Sequence, residues 1–225
     1  MDKFYGTFIE DDRYQLFLTG LGHTLLIALI ATIIGVVIGV LIAVCRVQHA
    51  QTGKLTILDL ICRAYVAVVR GTPVVVQLMI MYYLILVNVN SAVLVGSIAF
   101  GINSGAYVSE IVRAGINAID PGQMEAGRSL GLSRAATMRH IILPQAIKNI
   151  LPALGNEFIA LLKETSVAGY VGIVDLTKAS DIVRSRTFDP FFSLIAVAII
   201  YFILVFGMSA ILKHFEKRLA KSDRS

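Results

Sequence analysis

Three long stretches contain no Asp, Glu, Lys or Arg, and they limit the fold more than any other feature of the chain. Residues 14–45 make 32 such positions, residues 71–109 make 39 and residues 190–212 make 23. A bilayer's hydrocarbon core, about 30 Å thick, is crossed by roughly 20 helical residues. The first and third stretches therefore each predict one membrane helix. The second is long enough for two, divided at Asn88-Val89-Asn90-Ser91, its polar cluster. A fifth span is expected at 147–170, weaker because it contains Glu157, Lys163 and Glu164. Composition agrees: at 56% hydrophobic and a mean hydropathy of +0.77, the chain is too apolar for a soluble domain. The expected fold is an all-α polytopic membrane protein, one transmembrane domain over 1–225, with spans at about 15–45, 66–87, 92–110, 147–170 and 190–212. The acidic N-terminus and the length of the first apolar run do not read as a cleavable signal.

Basic residues orient these spans. With the N-terminus outside, fourteen Lys and Arg fall on the cytoplasmic side, in 46–70, 113–148 and the tail. Five fall outside, in the arm 1–13 and in 175–189, a polar segment that reads as an external, gate-like helix and turn. That bias gives N-terminus out and C-terminus in. It also accounts for the net charge of +5 without a nucleic-acid partner.

Between the third and fourth spans lies DPGQMEAGRSLGLSRAATMRHIILP, residues 120–144, the one long water-loving segment. Asp120 suits an N-cap, Pro121 a first helical position and Gly131 a left-handed helix end. Ser133 is the next N-cap, and a second helix is expected from there to Pro144. The segment is thus a cytoplasmic helical hairpin. Its spacing, Glu125-Ala126-Gly127, three residues, Gly131 and Leu132, then Ile141, Leu143 and Pro144, resembles the coupling motif of permease subunits of bacterial ABC importers. Gly127 stands where that motif has alanine. RGTP at 70–73, NSGAYVSEIVRAGI at 103–116 and LGNEFIALLKETS at 154–166 resemble the polar amino acid branch of the same family.

The resemblance implies a type I ABC importer permease fold and a place in the bacterial cytoplasmic (inner) membrane. It implies a second permease copy or paralogue, two ATPase subunits that use ATP and Mg, and an extracytoplasmic substrate-binding protein. The hairpin, with Glu125, Ala126, Gly127, Gly131, Leu132 and Pro144, would dock on the ATPase. The chain has no G-x-x-x-x-G-K-[ST], nucleophile elbow or His/Cys cluster with metal spacing, so neither an enzymatic role nor a metal or other cofactor of its own is expected.

The candidate substrate site lies in the fourth span. Glu157 and Glu164 are seven residues apart, hence on one helix face, roughly 10 Å apart. Carboxylates inside a bilayer are costly and by default mark a substrate path or a paired charge. Two on one face fit the ammonium and side chain of a cationic amino acid, while Lys163 or Arg113 could neutralise one of them structurally. Thr165 and Ser166 are expected to add hydroxyls beside them. Asn103 and Ser104 join from the third span, where polar groups face the bundle interior. Glutamine or another polar amino acid is the alternative cargo. A secondary transporter, a channel or a membrane scaffold would be the readings of other classes. Ala31, Gly35, Gly39 and Ala43 read as a packing stripe, His23 as a hydrogen-bonded or interfacial residue, and Cys45 and Cys62 as ordinary thiols.

Overall fold

The computed structural model describes residues 2–221, so Met1 of the arm and 222–225 of the basic tail lie outside the described residues. All regular structure among them is helical. A short helix, α1 (Asp2–Phe8), and a 3₁₀ turn (Glu10–Asp12) lead into α2 (Tyr14–Thr52), which ends at Gly53 with φ 67°. Then α3 (Thr56–Gly71) meets α4 (Val74–Ile80), which is prolonged by one π turn (Met81–Ile85). Next come α5 (Ala92–Asn117), α6 (Pro121–Ser129), α7 (Arg134–Thr137) and α8 (Leu143–Glu164). A 3₁₀ stretch (Thr165–Val171), α9 (Leu176–Thr187) and α10 (Pro190–Lys221) complete the chain.

Two expected boundaries change. The segment expected as one span at 66–87 starts at Thr56 and bends by 110° between α3 and α4. The cause is Pro73. It has no N–H to donate and drives the preceding Thr72 out of the helical region, to φ −123° and ψ 149°. The hairpin's second helix does not stop at Pro144. A π turn (Met138–Ile142) joins α7 directly to α8, in which Pro144 occupies the first turn. Widening the turn there, with Leu143 N donating to Met138 O, shifts the hydrogen-bond register just where Pro144 offers no donor.

By length and composition, α2, α5 and α10 can each cross a membrane, and α3 with α4 makes a fourth if the bent pair is one span. α8 falls outside that set because charged Lys148 and Glu157, with Pro144, Gln145, Asn149, Pro152 and Asn156, hold its hydropathy down.

The bundle is built around α5. In its most apolar stretch 67% of residues are buried, against 6% in α10, whose sides stay open. α5 packs chiefly along α2, and the stripe expected from sequence forms that seam: Ala31 and Ala43 are fully buried, and Gly35 and Gly39 face α5. Contact is close in both directions. A Cβ on Gly35 would lie 2.9 Å from Ser104 Cβ, and one on Gly105 2.8 Å from Ile38 Cγ2. In a bilayer, where apolar side chains gain little by leaving lipid, such backbone proximity supplies much of the packing attraction.

Candidate functional site

The α2–α5 seam leaves the other faces of α5 for α3, α4 and α8, and the polar side chains gather there. Ser104 Oγ donates to Glu157 Oε1 at 2.9 Å, joining α5 to α8. One position away, Asn103 Nδ2 donates to Gln77 Oε1 at 3.0 Å. Gln77 Nε2 in turn donates to the carbonyls of Val69 at 2.7 Å and Thr72 at 3.1 Å, and to Thr72 Oγ1 at 2.8 Å. The 110° elbow thus exposes backbone carbonyls that α4's own Gln77 satisfies, and Asn103 completes the chain. Arg70, at the same elbow, stacks over Tyr107 with 5.4 Å from Cζ to the ring centroid.

No cation is paired with Glu157 among the described residues. Arg113 is turned away onto Glu110, at 2.5 Å, and Arg46 shares the same carboxylate. Asp59, buried, takes Arg63 at 2.6 Å, with His49 and Arg46 at 3.7 and 3.9 Å. The three arginines at this end of the bundle are therefore taken up by two carboxylates, Asp59 and Glu110, in a network that joins α2, α3 and α5. Glu164 makes neither a hydrogen bond nor an ion pair among the described residues. Its electrostatic neighbours are Glu157 and Lys163.

The structure separates the remaining expected residues from this cluster. Thr165 is buried and its hydroxyl donates to Leu162 O at 2.8 Å, so it is committed to its own helix. Ser166 lines a different cleft, of about 410 Å³, with Tyr170, Thr177, Lys178, Asp181 and Arg184. The reason is local: the chain tightens from α-helix to 3₁₀ at Thr165, which turns successive side chains onto new faces. Gln77 is the residue that sequence reasoning missed. It is the one glutamine in the 39-residue charge-free run, and the reasoning that singled out Asn103 applies to it equally.

The coupling-type hairpin has its own geometry. Asp120 Oδ1 accepts from Gly122 N at 2.8 Å and Ser133 Oγ accepts from Ala136 N at 3.1 Å, so both expected caps form. Gly131 has φ 85°; its N–H donates to Arg128 O at 3.0 Å and that of Leu132 to Gly127 O at 3.1 Å, the paired bonds of a Schellman end. Glu125 and Ala126 are exposed on α6, and Leu130 at its tip is 81% exposed. Gly127 is buried against α7. A Cβ there would sit 2.5 Å from Thr137 Cγ2, which explains glycine in place of the motif's alanine. Pro144 is exposed.

His23 Nδ1 meets Val174 O at 2.9 Å and Thr24 Oγ1 accepts from Leu176 N at 3.1 Å, tying α9 and the segment just before it to the first half of α2. Cys45 and Cys62 are buried free thiols.

Known proteins share this architecture. A solved amino acid ABC transporter with histidines superposes with a TM-score of 0.84 at 45% identity, covering 91% of this chain and 94% of its own. A methionine ABC transporter in inward-facing conformations, at 20% identity and a TM-score of 0.73, shares the fold over 91% of this chain. A glutamine transport system permease protein of Rickettsia bellii is 45% identical over 202 residues, 88% of this chain and 90% of that protein. An arginine transport system permease protein of Bacillus subtilis is 37% identical over 92% of this chain and 93% of its own length. Residues 35–221 match the binding-protein-dependent transport system inner membrane component, and the chain belongs to that family.

Proposed function

We propose that the chain is the membrane-spanning permease subunit of an ATP-driven importer that carries a polar, first of all cationic, amino acid by alternating access. The bond from Ser104 to Glu157 carries this reading, because it sets a carboxylate between α5 and α8 with no cation paired to it among the described residues. An uncompensated carboxylate at this depth favours a cationic guest. Asn103 and Ser104 line its approach and Glu164 extends the negative face toward the 3₁₀ stretch. A glutamine cargo is the second reading. It is favoured by the amide pair Asn103–Gln77, whose chemistry suits an amide side chain, and by the glutamine permeases among the relatives.

In this reading all five expected segments cross the cytoplasmic membrane, N-terminus out and C-terminus in, with α8 as the polar fourth span. α6 is the coupling helix, docking Glu125, Ala126 and the Leu130 tip on one of two ATPase subunits, which hold the ATP and Mg. A second permease copy or paralogue completes the pathway, and an extracytoplasmic binding protein delivers the substrate. The 175–189 segment, α9 with its flanks, closes the outer mouth.

Competition decides the cargo. In proteoliposomes holding the assembled importer and its binding protein, unlabelled arginine, lysine and histidine are expected to suppress labelled arginine uptake more strongly than glutamine. Equal or stronger suppression by glutamine moves the assignment to the second reading. Uptake that persists without the ATPase subunits would overturn both.

A further inference from the structure

The arm packs on α9 and α10, away from the Ser104–Glu157 cluster, and part of its surface has no protein against it among the described residues. Its inner face is well packed. Phe8 lies 5.6 Å from Phe17 and 4.9 Å from Phe4 between ring centroids, Phe4 reaches Phe192 at 6.1 Å, and Thr7 is fully buried. Lys3 Nζ stands 3.9 Å from Asp189 Oδ2, at the turn between α9 and α10. Arg13 folds back on the arm, donating to Glu10 at 3.1 Å, to Asp11 at 2.9 Å and to the Gly6 carbonyl. The arm is thus one folded unit seated on α9 and α10.

The arm also exposes apolar surface: Phe4, packed on one side against Phe8 and Phe192, is 52% exposed, and Tyr5 and Ile9 are 59% and 47% exposed. Tyr14, Phe188 and Phe191 are also exposed, where α2 and α10 begin. Leu18, four residues past Tyr14 in α2, and Leu194, three past Phe191 in α10, are exposed one turn further along the same helix faces. Aromatic side chains gather at this depth because one part of the ring is apolar and the rest tolerates water.

We propose that α1 is an interfacial anchor, lying along the outer leaflet with Phe4, Tyr5 and Ile9 in the boundary between headgroups and acyl chains. Through Phe192 and Asp189 it holds the α9–α10 turn at that depth. The partner is the lipid surface itself. The arm's four acids outnumber its two bases, so attraction to anionic headgroups is not the driving force and zwitterionic lipid suffices.

The chain has no tryptophan, so an added one reports its own surroundings once the parent complex is subtracted. Tyr5→Trp, and independently Ile9→Trp, are placed in the assembled importer in phosphatidylcholine nanodiscs whose acyl chains are brominated near the headgroup. The added fluorescence is expected to fall by about half relative to unbrominated lipid, with weaker quenching by aqueous iodide. Quenching by iodide alone would put the face in water. Insensitivity to both, or loss of bromolipid quenching when the binding protein is added, would put it against protein. Each of those outcomes overturns the anchor. Ile9→Trp keeps the question answerable if Tyr5→Trp does not assemble.

Discussion

Glu157 and its neighbours differ in how plainly the sequence displays them, and the difference is physical. A carboxylate in an apolar helix costs several kcal/mol unless something compensates it, so it stands out in any reading of the chain. Gln77 does not, because a neutral amide costs less and its role depends on an elbow that brings carbonyls 69 and 72 within reach. Thr165 and Ser166 stand apart from Glu157 for the converse reason: they adjoin Glu164 in sequence, but the 3₁₀ stretch turns them onto other faces. Glu157→Gln keeps the volume and an acceptor for Ser104 while removing the charge. Cationic uptake is expected to fall by tenfold or more, roughly the 1.4 kcal/mol of one lost favourable charge contact, with basal ATPase activity unchanged. Unaltered affinity for arginine would remove Glu157 from the site. Outside the membrane, Asp181 accepts from Lys178 at 3.0 Å and from Arg184, and these bonds hold its carboxyl below the usual range. A depressed folded value means the contribution to α9 is present above the ordinary aspartate pKa of about 4 and is lost as pH falls through the lower folded value. The pair is exposed, so the effect is small and weakened by salt. Hydrogen exchange in α9, corrected for its intrinsic rate, is expected to quicken between about pH 5 and pH 3, and Asp181→Asn to abolish that change.

The hairpin was legible at the level of the element because its signals are local. Asp120, Pro121, Gly131 and Ser133 act on backbone groups within a few residues, so spacing alone located both helices. The substitution of Gly127 for alanine was not explicable from spacing, since its reason lies across the turn in Thr137. That contact gives a compensation test. Gly127→Ala forces its Cβ onto Thr137 and is expected to destabilise the hairpin by about 1–3 kcal/mol. Thr137→Ala removes both close atoms, Cγ2 at 2.5 Å and Oγ1 at 2.8 Å, so the double variant is expected to regain most of that loss. Thermal stability of the assembled importer and co-purification of the ATPase read it out. Additive losses in the double variant would show that the close approach at 2.5 Å is not what selects glycine. The α3–α4 elbow and the π turn escaped the reading because hydropathy cannot see them: Pro73 and Pro144 were visible, but whether a helix breaks or widens at a proline depends on what accepts the freed groups.

For the whole molecule, the consequence is a single helical column. From Arg134 through the π turn to Glu164 the backbone never leaves helical structure, so the hairpin and the carboxylate face share one body. A shift of α6 then has a direct route to Glu157 if the column turns as a unit. The register of the column supplies the test. One alanine inserted between Gln145 and Ala146 keeps both ends but rotates Glu157 by about 100° relative to the hairpin. The ATPase is expected to remain bound, because α6 and α7 are untouched, while transport and its stimulation of ATP hydrolysis are lost together. A second variant separates coupling from local damage. A four-residue insertion at the same point restores the rotation to within about 40° while adding one turn of rise, and is expected to recover part of the stimulation. If instead the single insertion leaves ATP hydrolysis responsive to the loaded binding protein, the column is not the transmitting element. The signal would then run through α5, which meets α8 along its length and reaches the hairpin by the short link from Asn117 to Pro121.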